Sequence, residues 1–339
     1  MDRTFHYKIS EKEAPVTIRE YLQRRGYSRH ILAHVKRTEN GILHHGTPAP
    51  VTAVLQAGDY LDIFLEEVPP SEHIPAAPVP FSIVYEDEDL LVVDKPADTP
   101  IHPSFNNHEN TLANGIVHYY AQQDIPFVFR CISRLDRDTS GLLIIAKNML
   151  SGSILSSALK QRTLSYEKGS SVDPSISCTR SSCPFPSEAG CDNEIHRTYL
   201  AIVEGQIKEP GTITAPIGRK ESSVIERCVD FEKGEHAVTH YQPLLYREDL
   251  NLTLVSLRLE TGRTHQIRIH MGYLGHPLIG DYLYHPRRDL ISRQALHSWK
   301  LEFLHPITKE HLEFQAPLPE DMTFISYCSG ATVTPGVLE

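Results

Sequence analysis

The sequence predicts an α+β protein: a small N-terminal α/β module followed by a larger domain on a largely antiparallel mixed sheet. Three observations predict it. Beyond residue 80, strand-like segments outnumber helical ones and fall into hairpins more often than strand–helix–strand units. The first 40 residues instead read as two short basic helices, with small strands after them. Between the two textures lies "EVPPSEHIPAAPVPF", residues 67 to 81, with five prolines in 15 residues. Such a stretch is a stiff, poorly helical connector. A length of 339 residues exceeds one average domain. The expected organisation is a module over 1–67, a linker over 68–80, a catalytic domain over 81–325 with an inserted loop at 169–195, and a tail over 326–339.

The elements follow in order. Thr17 with Glu20 three residues later has the form of a capping box, and Gly26 closes that helix. Ser28 caps a second helix with Ile31, Leu32 and Val35 on one face. "NGILHHGTPAP" and "VTAVLQAGDYLDIFLEE" are turn-bounded strand candidates. "SIVYEDEDLLVVDKPAD" reads as two strands around an acidic turn and "SGLLIIAKN" as a buried strand. "MLSGSILSSALKQR" reads as a helix and "HRTYLAIVEG" as a strand. "LNLTLVSLRLETG" alternates like a half-buried strand, and "LEFLHPITKEHLEF" is two strands around a turn.

Composition excludes several classes. Forty per cent hydrophobic residues are ordinary for a globular chain. No apolar run approaches the ~20 residues of a membrane helix, and "MDRTFHYKIS" lacks a signal core. A cytoplasmic location without membrane contact is expected. Six cysteines in 339 residues are too few for a disulfide framework. The net charge of −10 argues against wholesale nucleic-acid binding but leaves room for a local basic patch. Residues 17 to 37 supply one: Arg19, Arg24, Arg25, Arg29, Lys36 and Arg37 stand against Glu20 alone, a net +5.

The densest chemistry lies in "RLDRDTSGLLIIAKN", residues 134 to 148. Asp138-Thr139-Ser140-Gly141 hints at an aspartic protease. That chemistry needs two aspartates sharing a proton, and the chain holds no second Asp-Thr/Ser-Gly. Asp136 is the better candidate. It precedes a buried strand and sits between Arg134 and Arg137, where fixed cations favour the ionised, acceptor-only carboxylate. That form suits a nucleophile or a base. In "TGRTHQIRIHMGYLG", Thr264 is expected to cap a helix that Gly275 ends. Ile267, Met271 and Leu274 fall on its core face, while His265, Arg268 and Gly272 fall on another. Arg268 thus lies in the N-terminal turn of a helix, where anions are favoured.

"RLDRDTSGLLIIAK" resembles the signature of the RluA family of pseudouridine synthases: Arg-Leu-Asp, two variable residues, Thr-Ser-Gly-Leu-Leu. Further segments resemble that family's blocks in the same order. They are "LVVDKPADTPIHPS" (with Ala97-Asp98 where Ala-Gly is usual), "HRTYLAIVEG", "LETGRTHQIRIHMGYLGHPLIGD" and "ALHSWKLEFLHPIT". The likeness covers roughly residues 80 to 320. The basic helices, the small strands and "AGDYLDI" resemble the S4 RNA-binding module, although "LHHG" is a loose fit to its pattern.

The resemblance implies isomerisation of uridine in structured RNA, ribosomal RNA foremost, with no cofactor and no metal. It places the family's catalytic aspartate on Asp136. It places the tyrosine that stacks on the flipped base on Tyr199, for which a general-base role is a further option, and the arginine that pairs with the aspartate on Arg268. RNA contacts are expected from Arg24, Arg25, Arg29 and Lys36 of the module. Arg134, Arg137, Arg263 and His265 are also assigned to RNA, with a turn-forming role as the alternative for Arg134, Arg137 and His265. Thr139 and Ser140 are expected to fix the turn that presents Asp136. A catalytically inactive RNA-binding or ribosome-assembly factor is the competing reading. Such a relic should have lost Asp136, Tyr199 or Arg268, and all three are present.

Residues 169 to 195 depart from the family. Cys178, Cys183, Cys191 and His196 invite a zinc reading, but the spacing Cys-x4-Cys-x7-Cys-x4-His matches no standard paired-knuckle site. A Ser/Pro/Gly-rich loop is the preferred reading.

Overall fold

A computed structural model describes residues 1–67, 74–105, 107–167, 194–285, 289–328 and 331–332. Residues 169–193 of the inserted segment, with Cys178, Cys183 and Cys191, lie outside the described residues, as do residues 68–73 of the expected linker.

The N-terminal module forms where the sequence places it. Helix Ile18–Arg24 starts at the Thr17–Glu20 capping box, which is fully formed, and Gly26 follows its end at φ +91°. Helix Arg29–Val35 is capped by Ser28 and buries Ile31, Leu32 and Val35. Beside the helices, an antiparallel sheet runs in the order Arg3–Lys8, Tyr60–Leu65, Ile42–His44, Thr47–Pro48. The apolar core of the module does not close on itself. Met149 and Leu150, from the start of helix Met149–Glu167, belong to the same cluster as Leu22, Tyr27 and Ile63. Glu67 caps that helix by accepting from the Met149 N–H at 2.8 Å, and it also pairs with Arg130. An acid at a helix N-terminus is stabilised by the exposed amide groups there. The Ser153 hydroxyl donates to the Gly26 carbonyl at 3.0 Å.

Among the described residues the large sheet has nine strands. Its order is Gly211–Thr214, Val238–Arg247, Leu252–Leu259, His196–Glu204, Leu296–Leu304, Ser140–Ala146, Leu90–Lys95, Ser82–Glu86, and His311–Gln315 pairs onto Leu296–Leu304. Every pairing in it is antiparallel except that of Ser140–Ala146 with Leu296–Leu304. That is the α+β, largely antiparallel mixed sheet expected.

Burial on both faces explains the unbroken apolar runs "LLVV" and "LLII". Leu91, Val93, Leu143 and Ile145 pack under helix Leu112–Ala121. Leu90, Val92, Leu142 and Ile144 face Leu155 and Ala158 of helix Met149–Glu167. Among the described residues, no helix is long and apolar enough to cross a membrane.

The parallel junction explains part of the signature. Ser140 and Gly141 lie opposite His297 and Ser298. Gly141 has φ +111°, and a Cβ there would come within 2.6 Å of the Ser298 amide nitrogen. Only glycine fits both the conformation and the approach.

Candidate active site

Asp136 stands on the loop that enters strand Ser140–Ala146. The Thr139 N–H donates to the Asp136 carbonyl at 3.1 Å, which closes a turn. Thr139 and Ser140 are buried. The Thr139 hydroxyl accepts from Gln294 at 3.3 Å, and Ser140 Oγ bonds His297 Nδ1 at 2.9 Å. Both residues therefore fix the turn, as expected. The Asp138 carbonyl accepts from Arg293 at 3.1 Å, which also ties that residue to the turn.

A lysine from another part of the chain braces the same loop. The buried Lys95 Nζ donates to the carbonyls of Pro96, Thr99 and Arg137 at 2.8, 2.9 and 2.9 Å. Burial pushes the Lys95 ammonium down to about 7, against the pull of Asp138 and Asp136. Next to it, Asp98 occupies a left-handed position at φ +56° and pairs with Arg137. Asp98 stands where the family pattern has glycine, and the positive φ gives the physical reason for that glycine. Aspartate tolerates the conformation better than most residues. Arg137 is thus engaged with Asp98 and the loop.

Arg268 reaches the site from helix Gln266–Tyr273. Its Nη1 donates to Asp136 Oδ2 at 3.0 Å. Its Nε and Nη2 hold Asp281 in a two-pronged contact at 2.7 and 2.8 Å. Only 2% of the Arg268 side chain is exposed, and 1% of that of Asp281. Hydrogen bonds and charges from both acids raise the guanidinium above its ordinary value despite burial. The rings of Tyr284 and Tyr282 lie 5.0 and 5.7 Å from the guanidinium carbon.

The helix start differs from the expectation. Thr264 does not cap it. His265 does, in a left-handed conformation at φ +58° and without a side-chain cap bond. The buried Gln266 replaces the missing cap chemistry. Its Oε1 accepts from Thr261 Oγ1 and the Arg263 N–H at 2.8 and 3.0 Å, and its amide donates to Val238 O at 2.9 Å. The turn is thus stitched from its own Thr-Gly-Arg-Thr-His-Gln segment. His265 Nδ1 bonds Tyr284 Oη at 2.9 Å, and its Nε2 lies 3.8 Å from Asp136 Oδ2. Burial lowers the His265 imidazole, which favours the neutral ring.

Tyr199 comes from strand His196–Glu204 and is 4% exposed. Burial raises its phenol, with Arg197 pulling the other way. Arg134, Asp136, Tyr199, Arg263, His265 and Arg268 line one cavity of about 60 Å³. Arg263 is anchored to the His236 carbonyl at 3.0 Å and to Glu235.

The module's basic residues lie elsewhere. Arg24, Arg29 and Lys36 are exposed, and Lys36 borders a groove of about 560 Å³ with Arg19. Arg25 is half-buried, bonds Glu13 at 2.7 Å, and lies 4.9 and 4.5 Å from the centres of the Tyr7 and Tyr21 rings. Asp281 and Lys95 carry no signal that singles them out in the sequence. Both sit in quoted blocks, "HPLIGD" and "VVDKP", as a polar residue closing an apolar run.

Set beside known proteins, a chain of this fold is an RNA pseudouridine synthase; at one loop cluster its half-buried Asp136 meets the buried Arg268–Asp281 pair. The family model described as RNA pseudouridylate synthase matches residues 89–167 and 188–273. The chain belongs to that family, in its RluA branch. The uncharacterized RNA pseudouridine synthase YjbO of Bacillus subtilis is 40% identical over 309 residues, covering 91% of this chain and 97% of that one. Ribosomal large subunit pseudouridine synthase D of Vibrio parahaemolyticus is 37% identical over 273 residues, 76% of this chain and 73% of that one. The solved structure of human RNA pseudouridylate synthase domain containing 1 shares 27% identity at a TM-score of 0.52, covering 72% of this chain and 85% of that one.

Proposed function

We propose that this enzyme converts specific uridines of structured RNA, ribosomal RNA foremost, to pseudouridine in the cytoplasm, with Asp136 as its catalytic carboxylate. The observation that carries the reading is the Asp136–Arg268 contact at 3.0 Å, opening on the same cavity as Tyr199. In the reaction the N1–C1′ bond breaks, the uracil turns, and C5 joins C1′. C5 loses a hydrogen and N1 gains one, so no electrons are exchanged with a cofactor. Asp136 acts on the ribose while Arg268 fixes its position and charge. Tyr199 stacks on the base, and its raised phenol keeps its proton and serves as a donor. The base must leave its helix first, at a cost of a few kcal/mol.

Residues 1–67 serve as an S4-like RNA-binding module, with Arg24, Arg29 and Lys36 on phosphates, and 81–325 as the catalytic domain. Near the cavity, Arg134 and Arg263 are the closest candidates for the flanking backbone. The ribosomal substrate is supported by relatives named as ribosomal large subunit synthases. An inactive RNA-binding factor is the weaker reading, because a relic should have lost one of Asp136, Tyr199 and Arg268, and all three line one cavity. The test is pseudouridine mapping of RNA from cells with and without the protein. A site lost on deletion and restored by the wild-type chain, but not by Asp136→Asn, is expected. An unchanged map of ribosomal RNA would overturn the substrate assignment.

A further inference from the structure

The hairpin of the N-terminal module carries a side-chain constellation outside the RNA chemistry. Strand Ile42–His44 turns through His45 and Gly46, both at positive φ, +49° and +75°. That is the backbone of a tight two-residue hairpin, and it stands His44 and His45 side by side with ring centres 4.7 Å apart. Asp59, just before strand Tyr60–Leu65, faces both. His44 Nε2 lies 2.8 Å from Asp59 Oδ2 and His45 Nε2 lies 2.9 Å from Asp59 Oδ1. The Gln56 N–H donates to Asp59 Oδ2 at 2.8 Å and aims the carboxylate. The three ligand atoms all fall within 4.8 Å of one another.

We propose that His44, His45 and Asp59 bind one divalent transition-metal ion of the zinc, cobalt or nickel class. Ligands at ~2.0–2.2 Å around such an ion stand about 3.3 Å apart in a tetrahedral set. His44 Nε2 and His45 Nε2 reach different oxygens of Asp59, at 2.8 and 2.9 Å, so the two imidazoles have to converge on one ion that the carboxylate faces, from ligand atoms already within 4.8 Å of one another. The move falls on His45, at the turn and 53% exposed. Two imidazoles and one carboxylate select borderline ions over magnesium or calcium, which prefer oxygen alone. The backbone bond to Asp59 supplies the outer support that metal carboxylates need. Positions not filled by the protein face solvent beside His45.

A second histidine–aspartate cluster shows the contrast. At Asp87, Asp89 and His305, Asp89 is occupied by Arg3 and Asn148. His305 Nδ1 accepts two backbone N–H groups, which leaves Nε2 carrying the proton, 3.0 Å from Asp87 Oδ2, with no lone pair to offer. Nothing comparable occupies the Nε2 lone pairs at His44 and His45 once their bonds to Asp59 are exchanged for a metal.

The experiment titrates the full chain with Co²⁺ and reads absorbance. The proposal expects one equivalent with d–d bands and without the charge-transfer band of cysteine sulfur, since the chain also holds six cysteines. His45→Asn, which tolerates the positive φ, should lower the affinity at least tenfold. Asp59→Asn should do the same. Co²⁺ should raise the melting temperature of the wild type and leave that of His45→Asn unmoved. If Asp59→Asn disturbs the hairpin, the exposed His45→Asn carries the test. Equal affinity in wild type and His45→Asn, binding only with the sulfur band, or no binding at millimolar Co²⁺ would each overturn the site.

Discussion

Asp281 grips Arg268 through two parallel hydrogen bonds, 2.7 and 2.8 Å, and this grip leaves Nη1 aimed at Asp136 at 3.0 Å. Asp281 does not line the cavity; it acts through the arginine. Its Oδ1 also accepts the Leu283 and Tyr284 N–H groups at 3.0 and 3.2 Å, so the carboxylate is locked in place.

Asp281→Asn should therefore slow the chemical step by about tenfold to a hundredfold, ~1.4–2.7 kcal/mol of barrier, with RNA affinity little changed. It should also cost stability, since breaking a buried pair from one side costs roughly 3–5 kcal/mol. Single-turnover rates on saturating RNA separate the two effects. A wild-type rate in a destabilised Asp281→Asn protein would show that Arg268 needs no such alignment.

The two aspartates of the signature should part company. Asp136→Asn should abolish pseudouridine formation while folding and RNA binding persist, because an amide is neither nucleophile nor base. Asp138→Asn should be mild, since Arg293 reaches Asp138 through its backbone carbonyl. Equal losses from the two would remove the grounds for choosing Asp136. A tenth of wild-type turnover surviving in Asp136→Asn would do so as well.

Much of the fold and site is legible in the sequence because local rules and blocks agree. The capping box at Thr17, the Ser28 cap and the apolar strand runs each match the tertiary packing. What stays hidden depends on distant partners. Helix Leu112–Ala121 opens with Thr111–Asn114, a capping box without the Glu or Gln that usually marks one. Strand Val238–Arg247 carries Pro243 and breaks register there, so its pattern reads poorly. Thr264 has the residue type of a helix cap. Gln266 instead closes the turn with buried bonds to Thr261 and Val238, and periodicity cannot reveal such a bond. Arg25 reads as one more basic residue in sequence, and only the fold seats it beside two tyrosines and Glu13.

That seating divides the basic helices. Replacing Arg24, Arg29 and Lys36 together should weaken RNA affinity and flatten the plot of log affinity against log salt. The slope should fall by about one unit for each phosphate left without its cation. Arg25→Met should instead lower stability and leave the slope close to wild type. Affinities measured across a salt series decide it. An unchanged slope in the triple variant would mean the helices face something other than RNA.

Lys95 gives a pH signature. Its burial pushes the ammonium to about 7, against ~10.4 for a free lysine. Between those values the unfolded chain holds the proton and the folded chain does not. Stability linked to this group must then rise with pH across that window, and below it the cost of burying the charge is constant. Lys95→Met removes the titration. It also strands the carbonyls of Pro96, Thr99 and Arg137, so it should be less stable at every pH and slower in turnover through a looser Asp136 loop. The advantage of wild type over Lys95→Met should widen from about pH 7 to 10 and be flat from about pH 5 to 6.5. Denaturant midpoints of both proteins across that range measure it. Parallel curves above neutral pH would mean that the three carbonyls, matched to the three hydrogens of an ammonium, outweigh burial and hold the charge.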